Sequence, residues 1–545
     1  MRLEAHCGQR CGTMASARIA AFVRAGVMLG MLACAGQGPT ARAEPLPAPS
    51  GPHQSEPDVP EMIPVFLPTV TFAMPGTRDS LQYMVDSVLA APMWRNARWG
   101  ILLVDAERGD TILSHDADRL FMPASNQKLL TAAVAFHTLG PDYRWFTPVM
   151  LRGVKRGGTF EGDILVSGQG DPSISDSLRS GRAASAFDPV VRALRERGIT
   201  QITGRVLSWG DAFEGPTTGY GWALDDLNAS YSAAVDELFY NEGELHIRVT
   251  AGSRAGAAVR AVSSPTQSYP RLRSNARTVA RGASIRRDDA LKVAWDSVAE
   301  SVVVSGSMPA GSSRQFTISY RHPADAFLAA LGEALSRSGI VVQHRVLREN
   351  ANAAPKDTLA LIESSSFDSV LARMLKPSQN QIAELLFRSS GRAASGSGSM
   401  DSARAAAARQ LLEWGIGAED AAYRDGSGLS RHDYLTPRTV VRVLDVMYRS
   451  PWYDVFRRAL PVAGVDGTIE KRMIGTPAAG NVHAKTGTLD KARSLSGYVT
   501  SADGRLMLFS FLCNNYTVPT VEVERVQDML AAMIAGGSFP QLSDR

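Results

Sequence analysis

The 545-residue chain reads as an α+β protein: an antiparallel sheet flanked by helices, interrupted by a long β-rich insertion. Three observations predict this. A short apolar strand pair lies near residue 100 and another at 495–512, so the two ends of the chain can join in one sheet. Helical periodicity fills the stretches after the first pair and before the second. From residue 146 to about 321 the texture is short β-like segments broken by glycine, too long a run for a loop.

Residues 1–43 look like a secretory signal. Arg18 and Arg24 precede the apolar run 25–35, and Ala41-Arg42-Ala43 offers small residues for cleavage before Glu44. Met14 is an alternative start. A lipoprotein using Cys34, or an uncleaved anchor, competes with cleavage; Met31 is a poor lipobox residue and the run is short for a span. Residues 44–77 are proline-rich and read as a tether. The sheet domain then occupies 78–152 and 321–545, with the insertion at 153–320.

Residues 100–104 and 111–113 form the first hairpin. A helix starting around Ser125 carries Leu129, Leu130, Ala133, Val134, Phe136 and Leu139 on its apolar side and ends at Gly140-Pro141. Within the insertion, 163–166, 204–208, 245–249, 302–304 and 316–320 read as strands. Helical segments follow at 324–338, around Ser378 and at 403–414. The glycine- and serine-rich stretch 389–399 leaves one helix connection open. A strand at 495–499, a turn at 502–504, a strand at 506–512 and a helix at 521–535 close the chain.

Composition excludes several classes. Hydrophobic content of 44% and charged content of 21% are ordinary for a globular protein. Of the formal +4, residues 1–43 hold five arginines against one glutamate, so the remainder is near neutral. No basic patch and no nucleic-acid partner are expected. Cys7, Cys11 and Cys34 fall in the leader, leaving Cys513 alone after it; no disulfide framework can form.

Chemistry concentrates in three motifs, taken in chain order: Ser125-Asn126-Gln127-Lys128, Ser378-Gln379-Asn380 and Lys485-Thr486-Gly487-Thr488. With eight lysines in the chain, chance alone supplies about one Ser-x-x-Lys, so the weight rests on the ordered triple. Lys128 lies one helical turn from Ser125, where its amine can reach the hydroxyl. That amine is a base only when neutral, and burial or a second cation, for which Lys485 is the candidate, would hold it so. Gly487 allows close approach of a substrate backbone, while Lys485, Thr486 and Thr488 offer donors to a carboxylate. Plainer readings stand beside these: Ser125 as an N-cap, Ser378 and Asn380 as a cap or turn, Lys485 as a solvated edge-strand lysine.

These motifs resemble those of the class C low-molecular-mass penicillin-binding proteins, which are D-alanyl-D-alanine carboxypeptidases and endopeptidases. The likeness extends to Asp425-Gly426-Ser427-Gly428-Leu429-Ser430-Arg431-His432, to residues 460–468, to Gly170-Asp171-Pro172-Ser173 and to Tyr231-Ser232-Ala233-Ala234 with Asn241-Glu242. It covers about residues 80–535. It implies a transpeptidase-like domain interrupted by two inserted β-rich domains, and the gap of about 250 residues from Lys128 to Ser378 agrees. It also implies Ser125 as the acylated nucleophile, Lys128 as its base, Ser378 and Asn380 completing the site, and Lys485 as electrostatic partner. Thr486 and Thr488 would bind the carboxylate, with an oxyanion hole from the backbone N–H groups of Ser125 and Thr488. No cofactor or metal is implied. The expected partners are peptidoglycan stem peptides and β-lactams, in the periplasm or cell envelope; peripheral membrane association and oligomeric state stay open. Asp171 reads equally as a turn residue or a contact to a cationic stem-peptide group, and Asp425 and Arg431 as loop shapers or site residues. A serine β-lactamase and a non-catalytic wall-binding protein are the alternatives.

Overall fold

The computed structural model describes residues 77–227, 229–264, 268–296, 298–343 and 357–539. The expected signal segment and nearly all of the tether lie outside the described residues.

The central sheet joins the two ends of the chain. Strands β1 (Arg98–Asp105), β2 (Thr111–His115), β3 (His483–Leu489), β4 (Ala492–Thr500) and β5 (Leu506–Asn514) run antiparallel in the order β3-β4-β5-β1-β2. Gly100 lies opposite Leu512 and Leu102 opposite Ser510. Strand alternation sends Ile101, Leu103, Phe509 and Phe511 to one face and Leu102 and Leu508 to the other, and both sets are buried. This is why β1 and β5 read as nearly unbroken apolar runs: helices cover both faces. Helices α1 (Arg78–Leu89) and α4 (Thr520–Ala535) pack on the first face through Leu81, Val85, Val526 and Leu530. The second face carries α2 (Gln127–Leu139), in which every residue from Gln127 to Phe136 is buried. A helix buried on all sides sits at the centre of its layer. Its Phe136 ring packs against Phe367, Trp452 and Phe456, and Gly140, at φ +83°, ends it.

Helix α3 (Asn380–Ser395) lies against α2 in the same core. It runs through most of the glycine- and serine-rich stretch left open above and stops at Gly396, φ +85°. The small residues serve packing. A Cβ at Gly391 would come within 2.5 Å of the Ala403 nitrogen on the helix Met400–Glu413. Ser378 itself is not helical, contrary to expectation; it holds φ +67° in the bend before α3.

Between α2 and α3 lie a helix-covered sheet and a pair of smaller packed sheets. Strands Phe146–Arg156, Thr159–Val166 and Asp357–Glu363 head a six-stranded sheet covered by helices Asp188–Glu196 and Pro323–Arg337 through Val190, Leu194, Phe327 and Leu331. This sheet starts before residue 153 and ends after 320, and the helix expected at 324–338 belongs to its core. Glycine-broken texture marks short strands but misses the long flanking ones and the amphipathic helices that cover them. Strands Glu244–Thr250, Arg260–Ser264 and Ser313–Ser319 form a second sheet, and Arg271–Ser274, Lys292–Asp296 and Ser301–Ser305 a third. Leu245, Ile247 and Val249 of one share a core with Val302 and Val304 of the other.

The expectation of no basic patch is corrected here. Residues 245–319 carry ten arginines and Lys292 against four carboxylates, a net +7 in a chain whose total is +4. Near-neutrality of the chain as a whole hid this, because the remainder is −3.

Candidate active site

The three motifs converge where the N-terminal end of α2, the bend before α3 and the edge strand β3 meet. Ser125 lies in a 3-10 turn, Ala124–Asn126, that leads into α2; its side chain caps no helix, so the N-cap reading does not apply. Ala124 before it holds φ +48°, a conformation disfavoured for a residue with a Cβ. The Cβ that Gly428 lacks would strike the Ala124 carbonyl oxygen at 1.8 Å, and that of Gly487 would lie 2.9 Å from the Ser125 nitrogen. Two glycines thus let the neighbouring loop and strand close on the serine. Ser125 remains partly exposed while Lys128 is fully buried.

The Lys128 amine has three neighbours: Ser125 Oγ at 2.8 Å, Asn380 Oδ1 at 2.6 Å and the Ser427 carbonyl at 2.8 Å. Two of these can only accept. A neutral amine has two N–H groups to give, so it donates to Asn380 and Ser427 and turns its lone pair to the Ser125 hydroxyl. Burial holds the Lys128 amine down to about 7, against the opposing pull of Asp425, Glu384 and Asp433. Lys485 is pushed well below its ordinary range too, by burial first and then by Lys128. Burial rather than Lys485 is therefore the main reason Lys128 can be neutral.

Lys485 reaches Ser378 Oγ at 2.8 Å and donates to the Thr486 carbonyl at 2.8 Å. It is buried, which removes the reading of a solvated edge lysine. Asn380 Nδ2 donates to the Tyr231 carbonyl at 2.7 Å, so this side chain bridges Lys128 and the insertion. The Gln379 side chain, not Ser378, caps α3 by accepting from the Gln381 and Ile382 N–H groups. Thr486 Oγ1 donates to Thr468 Oγ1 at 2.7 Å, and the exposed Thr488 hydroxyl accepts from Arg493. All eight residues singled out in the motifs thus lie in one place.

One residue of consequence was missed. Glu384 is buried on α3, and its Oε1 accepts from the Ser427 N–H at 2.8 Å and the Gly426 N–H at 3.1 Å. It thereby holds the backbone that presents the Ser427 carbonyl to Lys128. Burial, then Asp425, pushes its carboxyl up to about 8. The available signal was its spacing, since Glu384 stands four residues after Asn380 and shares its helix face. Asp425 shapes the loop, accepting from the Gly428 and Ser430 N–H groups and Trp222 Nε1. Asp171 is buried and accepts from the Ser173 N–H at 2.7 Å, as a turn residue does. Among the described residues, no group of acidic, histidine or cysteine side chains is arranged to hold a metal ion.

A serine served by an amine instead of an imidazole, at the edge of an antiparallel sheet, is the mark of the histidine-free serine peptidases. Within that class the chain belongs to the D-Ala-D-Ala carboxypeptidase 3 (S13) family, which it matches over residues 81–535. It is similar to a D-alanyl-D-alanine carboxypeptidase of an Actinomadura species, 29% identical over 495 residues that cover 87% of this chain and 89% of that one. It is also similar to the D-alanyl-D-alanine carboxypeptidase DacB of Haemophilus influenzae, 26% identical over 466 residues, covering 84% and 93%. Among solved structures, penicillin-binding protein 4 of Haemophilus influenzae shares the fold, with a TM-score of 0.68 at 23% identity over 83% of this chain and 97% of that one.

Proposed function

We propose that this chain is an exported DD-peptidase that cuts peptidoglycan stem peptides through an acyl-enzyme on Ser125. The contact set of Lys128 carries the reading: two fixed acceptors and one serine hydroxyl around an amine that burial holds near neutrality. In the first step Ser125 Oγ attacks the carbonyl of the penultimate D-alanine and its proton passes to Lys128. Backbone N–H groups of Ser125 and Thr488 stabilise the oxyanion. As the C–N bond breaks, the leaving amine takes a proton by way of Ser378. Water then hydrolyses the ester and Ser125 regains its proton. The terminal carboxylate of the substrate meets Thr486, Thr488 and Lys485, and its negative charge favours the protonated form of Lys485.

The same acylation serves release of D-alanine and cleavage of a D-alanyl cross-link. The family and the named relatives favour carboxypeptidase action. β-Lactams, which present a strained amide and a carboxylate, acylate the same serine, and a β-lactam complex of the Haemophilus influenzae protein is in keeping with this. Incubation with fluorescent penicillin tests the reading: a lasting covalent adduct on the wild type and none on Ser125→Ala supports it. Rapid turnover of the drug would instead make the protein a β-lactamase. Digestion of purified sacculi separates the two peptidase activities, free D-alanine marking one and loss of cross-linked dimers the other.

A further inference from the structure

The chemistry at Ser125 leaves one feature of the molecule unused, the cationic sandwich at residues 245–319. All eleven of its cations are exposed, and none makes an ion pair among the described residues. Elsewhere arginines are commonly paired, as in Arg152 with Asp163, Arg373 with Glu242 and Arg472 with Asp528. Unpaired cations at this density repel one another, which favours binding of an anionic partner. The bias of ten arginines to one lysine suits phosphate, whose oxygens match the guanidinium fork.

The strand register decides between two kinds of anionic partner. Arg248 alternates with the buried Ile247 and Val249 and so points outward from the first sheet; Arg260, opposite Thr250, shares that outer face. Arg271 and Arg273 lie opposite Ser301 and Val303, out of step with the buried Val302 and Val304, and so stand on the outer face of the other sheet with Lys292. Cations therefore cover both outer faces of the sandwich. A flat membrane meets one face at a time, whereas a flexible chain can follow both.

We propose that residues 245–319 form a docking module for a flexible phosphodiester-linked polyanion, separate from the acylation site. Binding there would retain the enzyme beside peptides anchored in the same anionic matrix, raising their effective concentration. The probes are polyglycerol phosphate and vesicles of phosphatidylglycerol and phosphatidylcholine in equal parts, tested with the full chain and with a variant carrying R248T, R260T, R271T and R273T. The polymer is expected to bind the wild type and to lose about a hundredfold in affinity between 50 and 200 mM salt, as release of about four counterions requires. The variant is expected to bind at least tenfold more weakly, with a flatter salt dependence, while its penicillin acylation rate and melting temperature are unchanged. Failure of the polymer to bind at 50 mM salt, or equal binding by the variant, overturns the proposal. So does binding to the vesicles alone. The acylation readout is independent, so loss of the DD-peptidase reading would leave the docking result standing.

Discussion

Replacing Glu384 tests what holds the Lys128 base in position. In Glu384→Ala two buried N–H groups, those of Gly426 and Ser427, lose their acceptor, each costing about 1–3 kcal/mol, and the Ser427 carbonyl is no longer held on the lysine amine. Loss of one of the two acceptors that aim the lone pair at Ser125 is worth about 1.4 kcal/mol in the acylation barrier, or tenfold in rate. Glu384→Gln keeps a side-chain oxygen where Oε1 stands and, since the native carboxyl is pushed up to about 8, changes little charge at pH 7, so most of the rate should return. Because the Glu384 carboxyl is mostly protonated where Lys128 titrates, the Gln variant should show the rise of acylation at nearly the wild-type pH. Stopped-flow acylation by fluorescent penicillin from pH 5.5 to 9 measures both effects, with noncovalent affinity as the control. If the alanine variant acylates at the wild-type rate, or the glutamine variant is as slow as the alanine one, Glu384 does not position the base.

Three further outcomes are expected. In the wild type, acylation should rise with pH through about 7 and then level off, since the buried Lys128 amine accepts a proton only once it has lost its own; a flat profile from pH 5.5 to 8 would exclude it as base. Gly487→Ala would set a methyl 2.1 Å from Ser494 Oγ and 2.5 Å from the Pro123 carbonyl oxygen, so β3 must move off Ser125 and acylation should fall at least a hundredfold while far-UV circular dichroism is retained. Phe136→Ala empties the centre of the helical layer beneath the nucleophile and should cost about 3–5 kcal/mol in urea unfolding.

The architecture was legible where chemistry leaves a pattern in sequence. Apolar runs in β1 and β5, at distant ends of the chain, pointed to the central sheet, and the ordered motifs marked Lys128, Ser378, Asn380 and Lys485 around Ser125. What escaped was tertiary in origin. Ser378 looked helical because the apolar spacing that follows it is helical, yet it sits in a left-handed bend that periodicity does not report. Glu384 looked like an ordinary polar residue on an amphipathic helix, since only burial shows that it holds a backbone loop. The cations of residues 245–319 were discounted because their sum cancels against acids elsewhere, and net charge carries no information on placement.

The pairing of β1 with β5 also bears on when the site can exist. Gly100 meets Leu512, more than 400 residues later in the chain, and Lys128 meets Asn380 and Ser427 across 252 and 299 residues. Contacts of such high order form late, because the loop entropy is lost before they reward it. A chain still emerging from a ribosome or a translocation pore lacks the strand that supports the nucleophile until nearly its last residue has passed. On the proposed mechanism, topology alone rules out premature acylation: Ser125 and its partners come together only in the finished molecule, and a C-terminal truncation before residue 506 is expected to silence the site without touching a single proposed reacting group.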